Sequence, residues 1–125
     1  MRLSKRLWRG LATELVTFSI LVASIVLLWR NNPILFLVML IECPAVLALW
    51  HERHDLSMFL VLAVLGTLAE AVFVYFGVWQ YANPTFWGIP LWFPLSFGTA
   101  GLIGQRLART ITAMWDVTSP PSLAD

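Results

Sequence analysis

The sequence predicts an all-α fold: a polytopic membrane protein whose four transmembrane helices form an up-down bundle. Three observations carry this. The 125 residues are 59% hydrophobic and only 12% charged, about half of the roughly 25% charged residues in a soluble domain. The apolar residues gather in four stretches, each close to the ~17–25 residues needed to cross a hydrocarbon core about 30 Å thick. The basic residues and the tryptophans fall where membrane borders place them.

The first helix is expected over about 8–29, with Leu11 to Trp29 as its apolar part. A basic segment followed by an apolar one resembles a signal peptide. This stretch is long for one and no A-x-A site follows it, so it is read as a retained helix. Arg30-Asn31-Asn32-Pro33 breaks the pattern. The second helix is expected over about 34–50, and the polar run from His51 to Asp55 ends it. The third is expected over about 56–76, followed by a longer segment, Gly77 to Gly88. The fourth begins near 89 and stays apolar to about Leu107. Leu107, Ile111, Met114 and Trp115 then recur at helical spacing, extending it along the inner membrane surface to about 115. Ser119-Pro120-Pro121-Ser122 ends it, and 119–125 is expected to be a disordered tail. Residues 1–118 therefore form one four-helix domain, with no room for a second. Short breaks make sequential helices antiparallel neighbours.

Orientation follows from charge. With the N-terminus inside, Arg2, Lys5, Arg6, Arg9, Arg53, Arg106 and Arg109 lie inside and only Arg30 lies outside. Such a bias places both termini in the cytoplasm of a multi-pass protein of the cell's inner membrane. The tryptophans agree: Trp8, Trp50 and Trp115 fall near the inner border, and Trp29, Trp79, Trp87 and Trp92 near the outer. Because the basic residues serve topology, no nucleic-acid partner is expected. The single cysteine, Cys43, excludes an internal disulfide. His51 and His54 form an H-x-x-H in a polar loop, read as solvated. No metal or other cofactor is expected.

The chemistry sits in three glutamates inside apolar stretches: Glu14, Glu42 and Glu70. An ionisable group in the hydrocarbon costs from about 2.5 to over 10 kcal/mol, so each needs a partner, a proton or a water-filled cavity. Glu42 and Glu70 are placed at about 12 and 9 Å from the outer ends of their helices, at 1.5 Å per residue. Close together, at least one of two such carboxyls would hold a proton. Either could serve a ligand or merely tie helices together. Pro44 frees a carbonyl and is expected to kink the helix beside Glu42. Ala63, Gly66, Thr67, Val74 and Gly77 give Glu70 a small, partly polar face. Glu14, near the inner border, is expected to reach Arg6, Arg9 or water.

The segment from Tyr75 to Pro94 is dense in aromatics, glycine and proline and poor in charge. It is expected to fold back over the outer mouth of the bundle, above Glu70. Its rings would clamp an apolar ligand while Gln80, Tyr81 and Asn83 orient the head. An aromatic belt with a rigid turn is the alternative.

An intramembrane Glu, then Gly-x-Trp-x-Tyr, then Gly-Ile-Pro-x-Trp-x-Pro leading into an apolar helix resembles two groups over about 70–104. One is a set of small uncharacterised bacterial integral membrane proteins. The other is the carotenoid-modifying membrane proteins, lycopene cyclases of the small-subunit type and carotenoid hydratases. The cyclases place acidic residues just after the proline, whereas Leu91-Trp92-Phe93 follow Pro90 here, so their catalytic acids do not carry over. The resemblance implies a hydrophobic, isoprenoid-like ligand between helices. The expected function is thus binding of a lipid or isoprenoid-like molecule in an outer-half pocket of Glu42, Glu70, Trp79, Tyr81, Asn83 and Trp92. Glu70 is the candidate acid should the site be an enzyme's.

Two alternatives stay open. Glycine and alanine steps at Gly98, Ala100, Gly101 and Gly104 suit a structural or assembly subunit in a homo- or hetero-oligomer. Length, helix number and a first-helix glutamate are similar to the small multidrug resistance transporters, which are proton-coupled. Their third-helix aromatic–glycine signature is absent, and dual insertion needs a weaker charge bias.

Overall fold

The computed structural model describes residues 4–118. It is all-helical: α1 (Lys5–Leu28), α2 (Asn32–Trp50), α3 (Arg53–Tyr75) and α4 (Phe93–Thr118). The segment expected to be a disordered tail, 119–125, lies outside the described residues, as does Arg2.

Local chemistry sets the boundaries. Ser4 caps α1 by accepting from the Leu7 amide at 3.2 Å. Asn31 does the same for Ile34 at 3.2 Å, with proline in the first turn of α2, where a missing N–H is harmless. His51 closes α2 in the left-handed region at φ 59°, and α3 starts two residues later. α2 runs through Pro44 without interruption.

By length and composition α1, α2 and α3 each suffice to cross a membrane. Only 11%, 22% and 11% of their most apolar windows are buried within the chain. Side chains such as Val26, Leu27, Ile41, Val64 and Leu65 point outward along the spans. Apolar surface this extensive has no place in water, and a lipid-facing bundle accounts for it.

The helices do not form a ring of sequential neighbours. α4 packs on all three others, most extensively on α3 and then on α1. α2 and α3, though joined by a tight turn, meet least, and α1 and α3 make no close backbone approach. Missing side chains explain why. A Cβ on Gly66 would enter the Phe97 ring, one on Gly101 would enter the Leu62 side chain, and one on Gly98 would lie 2.8 Å from the Phe59 carbonyl oxygen. Glycines on both helices thus let α3 and α4 approach closely. Gly104 faces open space, so of the three glycines stepping along α4 only two belong to this seam.

α4 differs from expectation at both ends. It begins at Phe93, because Phe86–Ile89 forms a tight turn and the chain turns again through Pro90. At its other end it continues as one helix to Thr118, still packed against α1 and α3 near Thr110 and Arg106, and not as a separate surface extension.

The seam gives a paired expectation. Gly98→Ala should lower stability by about 1–3 kcal/mol, because a backbone oxygen cannot yield as a side chain does. Gly104→Ala should be neutral or stabilising by up to about 1 kcal/mol. Thermal unfolding of both variants in mild detergent checks this.

Candidate functional site

The aromatic segment does fold back on the bundle. Trp87 and Gly88 both take positive φ, 49° and 74°, the geometry of a two-residue hairpin turn. Phe86 and Ile89 close it, with the Ile89 amide donating to the Phe86 carbonyl at 2.7 Å and the reverse bond at 3.1 Å. Gly88 is required twice over, since a Cβ would also run into Val74 of α3. Ile89 and Pro90 are fully buried beneath the turn.

Two hydrogen-bonded knots fasten the segment. In the first, Trp79 Nε1 and Tyr81 Oη both donate to Glu70 Oε2, at 2.7 and 3.0 Å. Phe73 meets the Trp79 ring edge-on. In the second, Asn32 at the start of α2 is the hub. Its Oδ1 accepts from Trp92 Nε1 at 3.1 Å, and its Nδ2 donates to the Asn83 carbonyl and to Thr85 Oγ1. Asn83 in turn donates to the Trp29 carbonyl at 3.0 Å. The sequence reading missed Asn32. Its signal was present: an amide beside a proline-led helix start, in a chain with few polar side chains to meet the indole N–H groups.

The expected residues therefore fall into groups. Glu70, Trp79 and Tyr81 come together; Asn83 and Trp92 come together through Asn32. Tyr81 and Trp92 also share a crevice of about 280 Å³ between α1 and α4, walled by Phe18, Val22 and Ile25 on one side and Phe93, Phe97 and Ala100 on the other. Glu42 stands apart. It lies ten residues into α2, about 15 Å from the end where the aromatic segment sits, whereas Glu70 is five residues, about 8 Å, from that end. Glu42 is thus near mid-span and not level with Glu70. Its Oε1 accepts from Ser24 of α1 at 2.5 Å. It lines a second cavity, of about 300 Å³, with Thr17, Leu21, Val46 and Thr99. Beside that cavity Cys43 and Thr99 hydrogen-bond across α2 and α4 at 2.9 Å.

Glu14 corrects an expectation. It does not turn to Arg6 or Arg9. It is buried and accepts from Thr110 Oγ1 of α4 at 2.6 Å, while its Oε2 has no partner among the described residues. Gly10, one turn earlier, leaves room for α4 to reach it. At the same end, Asp55 in the first turn of α3 is fully buried. Arg106 grips both its oxygens, Nε to Oδ1 at 2.9 Å and Nη2 to Oδ2. Arg106 also pairs with Glu52 at 3.3 Å and lies over the Trp50 ring at 4.9 Å. Arg109 reaches Glu52 at 3.4 Å. His51 and His54 are exposed.

No family model matches the chain, and no solved structure matches it. Over 73 residues, 52% of this chain, it is 36% identical to the insulin-induced gene 1 protein of Bos taurus. The chain spans 26% of that protein's length, so the likeness concerns about a quarter of it.

Burial, and then the hydrogen bond to Glu70 and its charge, hold the Tyr81 phenol above the usual tyrosine range. The neutral phenol is the form the fold prefers. Its contribution to stability is complete below the ordinary tyrosine pKa and is lost as pH rises through the raised one. Glu70→Gln should bring the Tyr81 titration down while burial still keeps it above an ordinary tyrosine. Tyrosinate absorbance of the two proteins in an alkaline titration checks this.

Proposed function

We propose that this membrane protein binds a lipid or isoprenoid-like molecule in the crevice between α1 and α4. The carrying observation is that this crevice has Tyr81 and Trp92 in its wall, with the Tyr81 hydroxyl held by Glu70. An apolar slot whose edge carries a few fixed polar groups is the usual form of a small-molecule site. Phe18, Val22, Ile25, Phe93 and Phe97 offer contacts to a chain or ring system. Ser96 and Tyr81 are the polar groups available to orient a head. Glu70 acts here as a positioning residue: it accepts from Trp79 and Tyr81 through Oε2 and fixes the Tyr81 hydroxyl without itself lining the crevice.

The test is mass spectrometry of organic extracts from protein purified in mild detergent. Wild type should carry one lipid or isoprenoid species near stoichiometrically. Ala100→Phe, which fills the crevice without touching the knots, and Glu70→Gln should both lose it. Bulk phospholipid alone in every sample would remove this reading.

The same proposal places the described chain in the cell's inner membrane with the basic end in the cytoplasm. Lys5, Arg6, Arg9, Arg53, Arg106 and Arg109 share that end, and Arg30 alone lies at the other; the bias is that of cytoplasmic borders. A cysteine at Ala82, which is exposed in the aromatic segment, should react with a membrane-impermeant maleimide in intact cells. One at Ser4 should react only after permeabilisation. The reverse pattern would invert the orientation.

A further inference from the structure

We infer that the second cavity, between α1, α2 and α4, is a binding site for a hydrophobic amine whose ammonium pairs with Glu42. The cavity is about 300 Å³, the lower end of small-molecule sites, and its walls include Thr17, Ile20, Val46, Leu49 and Thr99. Glu42 is the one charged residue in that lining. It is half-buried and near mid-span, roughly 12–15 Å from either end of α2. A carboxylate at such depth has to be neutralised by a proton or by a cation. The described residues offer it no cation. Among the described residues every ion pair lies at the basic end, on Arg106 and Arg109.

Two further features favour an ammonium. Glu42 Oε1 is held by the Ser24 hydroxyl, which also contacts the Ile20 carbonyl of its own helix. Oε2 has no hydrogen-bond partner among the described residues, so one face of the group is left toward the cavity. The hydroxyls of Thr17 and Thr99 that line the space already donate to carbonyls of their own helices, leaving lone pairs but no protons for a ligand. A site that presents only acceptors selects a ligand that brings donors. Its depth excludes a phospholipid headgroup, which stays at the membrane border. A compact ammonium on an apolar body satisfies both conditions. This site is independent of the Tyr81–Trp92 crevice, since neither lining residue is shared except Leu21 on the wall between them.

The experiment uses the whole protein in nanodiscs of uncharged phosphatidylcholine, at a pH near neutral, with decylamine or decanol at equal membrane concentration. A ligand that binds only the folded state raises the unfolding temperature. Decylamine should raise that of wild type by a few degrees, and decanol, which matches its chain but lacks the charge, should not. Glu42→Gln should abolish the rise. Ala45→Phe fills the cavity from an exposed position and keeps the carboxylate; it should abolish the rise as well, which covers the case of a poorly folded Glu42→Gln. Ala100→Phe, in the other crevice, should leave it intact. An equal rise with decanol, a rise that survives Glu42→Gln or Ala45→Phe, or no rise in wild type would overturn the assignment.

Discussion

The arrangement of this bundle depends on one buried ion pair. Asp55 is fully enclosed at the start of α3, and Arg106 meets it with two parallel bonds from the middle of α4. Neither charge could remain there alone. Taking one partner from such a pair typically costs about 3–5 kcal/mol, because the other is left unpaired in a poor dielectric. The pair therefore acts as a register lock. With Arg106 fixed on Asp55, Gly101 falls opposite Leu62 and Phe97 opposite Gly66. The close α3–α4 seam is the extension of that lock along the membrane. Trp50, stacked on the guanidinium, ties the end of α2 to the same point.

Once α4 is committed to α3, the rest of the geometry follows. α4 becomes the central helix, α1 docks on its other side, and α1 and α3 are held apart. Toward α1, α4 offers the small or hydroxylic Ser96, Thr99 and Ala100 as well as the rings of Phe93 and Phe97. The small side chains leave space on both flanks of α1. One space runs up to Tyr81 and Trp92; the other runs down to Glu42. At the opposite end from the ion pair, Asn32 performs the complementary task. It joins Trp92, Asn83 and Thr85 to the start of α2, so the aromatic segment is held down as a cover.

Much of the fold was legible in the sequence because lipid imposes a simple rule on composition. Helices α1, α2 and α3 lie within a few residues of their apolar stretches, although α2 and α3 begin inside the polar breaks, at Asn32 and Arg53. The neighbour relations were not legible. Short loops suggested sequential packing, yet which helices touch is decided by where glycine removes a Cβ and where a charge finds its partner. Gly66, Gly98 and Gly101 were visible as small residues, but nothing in a one-dimensional pattern distinguishes them from Gly104, which packs on nothing. Glu14 failed for a related reason. Its nearest cations in the sequence, Arg6 and Arg9, were the obvious partners. In the fold its partner is Thr110, ninety-six positions away in the chain, brought close by Gly10. Glu70 was easier, since Trp79 and Tyr81 follow it within about three helical turns' worth of chain and had few other acceptors to choose from.

The three intramembrane glutamates differ most in what their surroundings leave undone. Glu70 accepts from an indole and a phenol, two neutral donors that fix its direction and hold a cover in place. Glu14 is sealed between α1 and α4 with one donor and no access, the position of a residue that fastens helices. Glu42 has one donor, no cation and an open apolar space in front of it. Closure alone does not spare a carboxylate its desolvation, since Glu14 Oε2 is buried with no partner among the described residues; Glu42 differs in that it lines an open apolar space. The α1–α2 contact is also among the looser ones in the bundle, so packing could close this space without disturbing the α3–α4 seam. A mid-span carboxylate with Ser24 as its one donor among the described residues and an apolar space beside it is the physical ground for the ligand proposed there.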